Sequence, residues 1–136
     1  MPHDPSELGT PHDWLRRARS NLARAQQPKP EEVVWEDLCF DVQQAAEKAL
    51  KAVLLARRIP FRFVHDIAEL LTLLERHGVS IPDEIRAAAE LTDYAVEARY
   101  PGPFEPVTEE EFREALRTAE VVVAWAESQI EKESEW

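Results

Sequence analysis

The chain has one cysteine, Cys39, and three glycines among its 136 residues. A single cysteine excludes an internal disulfide, so the core has to carry the fold, and a reducing, cytoplasmic setting is expected. Cys39 lies between Leu38 and Phe40, which reads as a buried, inert thiol. The chain has no run of about 18 apolar residues, so no membrane-spanning helix is expected. The opening Met1-Pro2-His3-Asp4-Pro5 has neither the basic nor the apolar region of an export signal. The histidines His3, His12, His65 and His77 show no ligand spacing, so neither a metal nor another cofactor is expected. Pro2-His3-Asp4 is echoed by Pro11-His12-Asp13, read as chance; there is no internal repeat.

Basic residues are also scarce, 16 against 27 acidic ones, for a net charge of −11. That argues against a general nucleic-acid coat, because affinity for phosphates comes chiefly from Lys and Arg. The distribution is uneven. Residues 12–30 hold Arg16, Arg17, Arg19, Arg24 and Lys29 against only Asp13. Residues 48–62 hold Lys48, Lys51, Arg57, Arg58 and Arg62 with no acid. The C-terminal part carries ten glutamates from Glu105 to Glu135. The pattern fits either a local basic face on an acidic protein or a mixed, solvated surface.

Few glycines and almost no strand-like alternation predict an all-α chain. Residues 1–9 read as a tail, 10–131 as one helical bundle and 132–136 as a C-terminal tail. Thr10 is the expected N-cap of a first helix with Pro11 at its first position and Asp13 in its first turn. Trp14, Leu15, Ala18, Leu22 and Ala25 form its apolar stripe, and Pro28 and Pro30 end it. A second helix is expected from near Pro30, with Glu31 and Glu32 at its positive end. Its stripe is Val34, Leu38, Val42, Ala45, Ala49 and Val53, and Pro60 closes it. Roughly 28 residues would span about 42 Å. A third helix carries Ile67, Leu70, Leu71 and Leu74 to Gly78, a natural C-terminal cap. A fourth is expected from Pro82 through Ile85, Ala88, Ala89, Leu91 and Val96. After the Pro-rich loop 100–106, Thr108-Glu109-Glu110-Glu111 is a capping box that starts the last helix. The expected architecture is an up-and-down bundle of four or five helices.

Three segments carry a resemblance. They are Gln43-Gln44-Ala45-Ala46-Glu47-Lys48-Ala49-Leu50-Lys51-Ala52, His65-Asp66-Ile67-Ala68-Glu69-Leu70-Leu71, and Tyr94-Ala95-Val96-Glu97-Ala98-Arg99-Tyr100-Pro101-Gly102. In this order and spacing the chain resembles the HEPN family of small helical domains, often found beside minimal nucleotidyltransferases in prokaryotes. The resemblance covers roughly residues 12–131. It implies a bundle similar to the C-terminal domain of kanamycin nucleotidyltransferase, usually dimeric. Its functional range runs from nucleotide-binding accessory subunit to metal-independent ribonuclease toxin of a toxin–antitoxin pair. Ribonuclease members carry an arginine followed four to six residues later by a histidine. Arg99 matches that arginine, but Tyr100, Pro101, Gly102, Pro103, Phe104 and Glu105 follow it, leaving no group that titrates near neutral pH. Arg58 and His65 have a similar spacing but straddle Pro60.

The candidate ligand- or partner-binding residues are therefore Lys48, Lys51, His65, Tyr94, Arg99 and Tyr100, with Arg99 and Tyr100 the only catalytic candidates. Each has a structural alternative. Glu47 and Lys51 form an i,i+4 pair, worth about 0.2–0.5 kcal/mol when exposed, which leaves Lys48 with no acid one turn away. Asp66 fits a helix cap, with His65 anchoring the loop, better than a catalytic dyad. Arg99 either clamps a phosphate or carboxylate or caps a helix C-terminus. Trp14, Trp35 and Trp125 fit core or dimer contacts. The expected function is accessory subunit of a nucleotidyltransferase, as a homodimer, with nucleotide or RNA as candidate ligands. The alternatives are a ribonuclease using Arg99 and a non-catalytic dimerisation module.

Overall fold

The computed structural model describes residues 9–61, 66–94 and 106–134, apart from the side chains of 133 and 134. It is an all-helical bundle: α1 Pro11–Gln26, α2 Trp35–Ala56, α3 Ile67–Arg76, α4 Asp83–Arg86 continuing as a 3-10 segment Ala87–Asp93, and α5 Glu109–Ser134. Among the described residues no helix is long and apolar enough to cross a membrane.

Helix α1 starts where its capping residues dictate. The Thr10 hydroxyl accepts from the Asp13 amide at 3.1 Å, and the Asp13 carboxylate accepts from the Thr10 amide at 3.1 Å. Those bonds, the one from the Thr10 backbone first, hold the Asp13 carboxyl below its ordinary pKa. Helix α3 has Asp66 accepting from the Ala68 amide at 3.0 Å and Gly78 at φ +88° just past its end. In α5, the Glu111 amide donates to the Thr108 hydroxyl at 3.1 Å.

Helix α2 is the centre, packed by α1, α5 and α3. It is buried nearly all round, with Leu38, Val42, Ala45, Ala46, Ala49, Leu50, Val53 and Leu54 in the core, as a helix crossing a bundle interior must be. It begins later than its sequence suggests. The Val33 amide closes a turn onto the Pro30 carbonyl at 3.1 Å, and the Lys29 ammonium donates to the Val33 carbonyl at 2.6 Å. Glu31 and Glu32 therefore precede the helix, and Glu36 and Asp37 occupy its first turn. Trp35 packs on Phe112 of α5 with centroids 5.0 Å apart, while Val34, expected in the buried stripe, is 52% exposed. The helix has 22 residues, about 33 Å at 1.5 Å per residue, rather than about 42 Å.

The expected fourth helix is also different. One α turn gives way to a 3-10 segment, in which residues three apart eclipse. That geometry puts Ala88 and Leu91 on one buried side and lets the Thr92 hydroxyl accept from the Ile67 amide at 3.0 Å. Val96 lies outside the described residues.

Two helices end alike. In α3, the Gly78 amide donates to Glu75 and the Val79 amide to Leu74; in α2, Arg58 donates to Leu55 and Ile59 to Leu54. Both are Schellman closures, which favour glycine at the left-handed position. Arg58 holds that position at φ +58°. Relief of the left-handed strain exceeds the extra chain entropy of glycine, so Arg58→Gly is expected to raise stability by about 0.5–1 kcal/mol. Urea unfolding checks it; a loss of stability would show that the Arg58 side chain makes compensating contacts.

Candidate functional site

On α1, residues 14, 17, 21 and 24 recur at intervals of three and four, so Trp14, Arg17, Asn21 and Arg24 share the side turned to α2. Asn21 is buried between the helices. Its amide nitrogen donates to Asp41 Oδ1 at 3.0 Å, and its amide oxygen accepts from Lys48 Nζ at 2.8 Å. Arg24 pairs with the same Asp41 oxygen at 3.2 Å. The half-buried Lys48 is thus aimed by a two-bond relay from Asp41 through Asn21. Burial, and after it the charge of Arg17, pulls its pKa below the ordinary lysine value, with Glu47 and Asp41 opposing.

Lys48 lies in the wall of an open cleft of about 480 Å³, completed by Gly9, Asp13, Trp14, Arg16 and Arg17. Elsewhere on α1, Arg19 is neutralised by Glu127 of α5 at 2.9 Å. Among the described residues, Arg16 and Arg17 form no ion pair. The two basic stretches of the sequence, 12–30 and 48–62, therefore meet here, through Arg16 and Arg17 on one helix and Lys48 on the other. Among the described residues the lining offers three cations, the Asp13 carboxylate and an aromatic ring, with no imidazole, thiol or hydroxyl side chain, a chemistry suited to holding an oxyanion.

Lys51 has a different environment. It is buried, and its ammonium donates to Glu47 Oε2 at 2.9 Å; Gln43 donates to Glu47 Oε1 at 2.9 Å. The ammonium also sits 5.7 Å from the Trp14 ring centroid and 6.0 Å from that of Phe61. The Glu47–Lys51 pair is therefore fully buried, and the value of an exposed i,i+4 pair does not apply to it. The spacing is the same in both cases; burial follows from α1 and the Phe61 segment closing over this side of α2.

Tyr94 is not brought to the lysines. Its hydroxyl donates to Glu111 at 2.8 Å in a groove of about 210 Å³ whose walls include Glu90, Glu111 and Glu114, so among the described residues its surroundings are acidic. His65, Arg99 and Tyr100 lie outside the described residues. Sequence reasoning does not single out Trp14, Arg16, Arg17 and Asn21 as site residues. The signal it offers is the cluster of arginines early in α1 with only Asp13 to balance it.

The family described as HEPN domain matches residues 11–129. Among solved structures, that of TT1696 from Thermus thermophilus superposes with a TM-score of 0.77 at 36% identity, over 88% of this chain and 97% of the other. That of ST0689, an archaeal HEPN homologue, superposes with a TM-score of 0.73 at 29% identity, over 90% and 99%. No curated protein matches the chain.

Proposed function

The chain belongs to the HEPN domain family, and from that premise we propose that it is the accessory subunit of a minimal nucleotidyltransferase. In this reading it acts as a homodimer and supplies binding surface for nucleotide or substrate rather than reacting groups. The observation that carries the reading is the cleft of Arg16, Arg17 and Lys48 beside Trp14, a basic recess on a chain of net charge −11. On an acidic chain, a basic recess concentrates the attraction for phosphate locally. For the dimer, α5 presents Val121, 36% exposed, one turn from the half-buried Trp125.

The test is co-expression with a minimal nucleotidyltransferase, followed by purification at low salt and light scattering. A stable complex containing two copies of this chain is expected. Two proteins that elute separately at micromolar concentration would contradict the proposal. The ribonuclease alternative is separated by incubating the purified chain with single-stranded RNA without metal. Intact RNA is expected; degradation abolished by Arg99→Ala would overturn the accessory reading in favour of the enzyme.

A further inference from the structure

We propose that Lys48 is a site of reversible carboxylation: its side-chain amine adds to carbon dioxide, and Arg16 and Arg17 hold the resulting carbamate across the α1–α2 cleft. The proposal is independent of the accessory-subunit reading, because it concerns a group attached to this chain. The other lysines are Lys29, Lys51 and Lys132, and each sits differently. The Lys29 ammonium donates to the Pro30 carbonyl at 3.2 Å and to the Val33 carbonyl at 2.6 Å. Lys51 is closed from solvent against the Glu47 carboxylate at 2.9 Å. Lys132 is exposed on α5. Lys48 is half-buried in the wall of an open cleft, where it meets a neutral acceptor, the Asn21 amide oxygen, at 2.8 Å.

Carboxylation needs a neutral amine, access for the gas and a counter-charge for the product. The Asn21 nitrogen donates to Asp41 at 3.0 Å, which turns the Asn21 oxygen, rather than a carboxylate, toward Lys48. Burial first, then the charge of Arg17 and more weakly that of Arg24, favours the neutral amine against Glu47 and Asp41. The ammonium loses a proton to water. Its nitrogen lone pair then attacks the carbon of carbon dioxide, one C–O π pair moves onto oxygen, and a second proton leaves the nitrogen for water. The product is a secondary carbamate with one N–H, for which the Asn21 oxygen is the acceptor in place, leaving the new carboxylate to the cleft. A cation of the lining is thereby exchanged for an anion, so that two guanidinium groups face the carbamate and Asp13. Asp13 already accepts from the Thr10 amide at 3.1 Å. A planar carboxylate is also the shape that a guanidinium fork holds with two parallel bonds.

The test equilibrates the full chain with isotopically labelled bicarbonate at mildly alkaline pH, fixes carbamates by alkylation with a trialkyloxonium salt, and locates the label by peptide mass spectrometry. A short peptide with a free amine, added to the same mixture, controls the trapping. Label is expected at Lys48 at an occupancy on the order of tenfold above that of the exposed Lys132, the worth of one charge-assisted contact. None is expected at Lys51. Arg17→Gln, on an exposed side chain, is expected to lower the occupancy of Lys48 by a similar factor, because Arg17 both disfavours the ammonium and holds the carbamate. Arg113→Gln, on α5, is expected to leave it unchanged. Dialysis against bicarbonate-free buffer before trapping is expected to remove the label. An unlabelled Lys48 beside a labelled control peptide, equal label at Lys48 and Lys132, or occupancy unmoved by Arg17→Gln would overturn the proposal. Label that survives dialysis would mark a stable acylation instead and would overturn it too.

Discussion

Replacing Glu47 with alanine is expected to lower the unfolding free energy by about 3–5 kcal/mol, the cost of breaking a buried ion pair by removing one partner. Glu47 is 2% and Lys51 3% exposed, and the pair is closed at 2.9 Å. Without Glu47, the Lys51 ammonium loses its carboxylate and keeps the Trp14 and Phe61 rings, and Gln43 loses the acceptor of its 2.9 Å bond. A cation over a ring recovers about 2 kcal/mol when desolvated, less than a buried charge costs. Removing both charges is different. Glu47→Leu combined with Lys51→Met replaces the pair with apolar side chains and leaves no unpaired charge, while the Gln43 amide loses its acceptor, at about 1–3 kcal/mol. The double variant should therefore be more stable than Glu47→Ala alone. Urea unfolding of the variants gives the comparison. A Glu47→Ala chain as stable as wild type would show that water or another partner satisfies Lys51.

Leu50→Ala is expected to cost about 2–5 kcal/mol, the range for emptying a fully buried leucine site. Leu50 is among the largest fully buried side chains and lies on the helix that touches α1, α3 and α5. Its neighbours on the helix, Ala46, Ala49 and Val53, are themselves buried and too short to fill the space left. The same substitution chemistry at Val34, 52% exposed, is expected to stay within about 0.5 kcal/mol. Thermal and urea unfolding of both variants would show the contrast; equal effects would mean that α2 is not the centre of the core.

Local signals read well where the chemistry is local. Thr10 with Asp13, Asp66, and Gly78 each act within four residues, and each marks a helix end where its side chain or backbone freedom dictates. The start of α2 is misplaced by sequence because Glu31 and Glu32 suit a first helical turn by charge. The competing turn, closed by Pro30 and Lys29, depends on a side chain reaching forward to the Val33 carbonyl. The 3-10 segment escapes for a related reason: Ala88 and Leu91, three apart, satisfy helical and 3-10 spacing alike. The cleft is half legible. Two acid-poor basic stretches are visible in the sequence, but Asn21 and Lys48 are 27 positions apart, and only the pairing of α1 with α2 joins them. Nor does the spacing of Glu47 and Lys51 say whether the pair faces water.

The most direct measurement is the KM for nucleoside triphosphate of the co-purified nucleotidyltransferase complex, carrying either the wild-type subunit or Arg17→Gln. With the complex intact, the variant is expected to raise KM on the order of tenfold, the loss of one charge-assisted phosphate contact. An unchanged KM in an intact complex would contradict the accessory role proposed for the cleft.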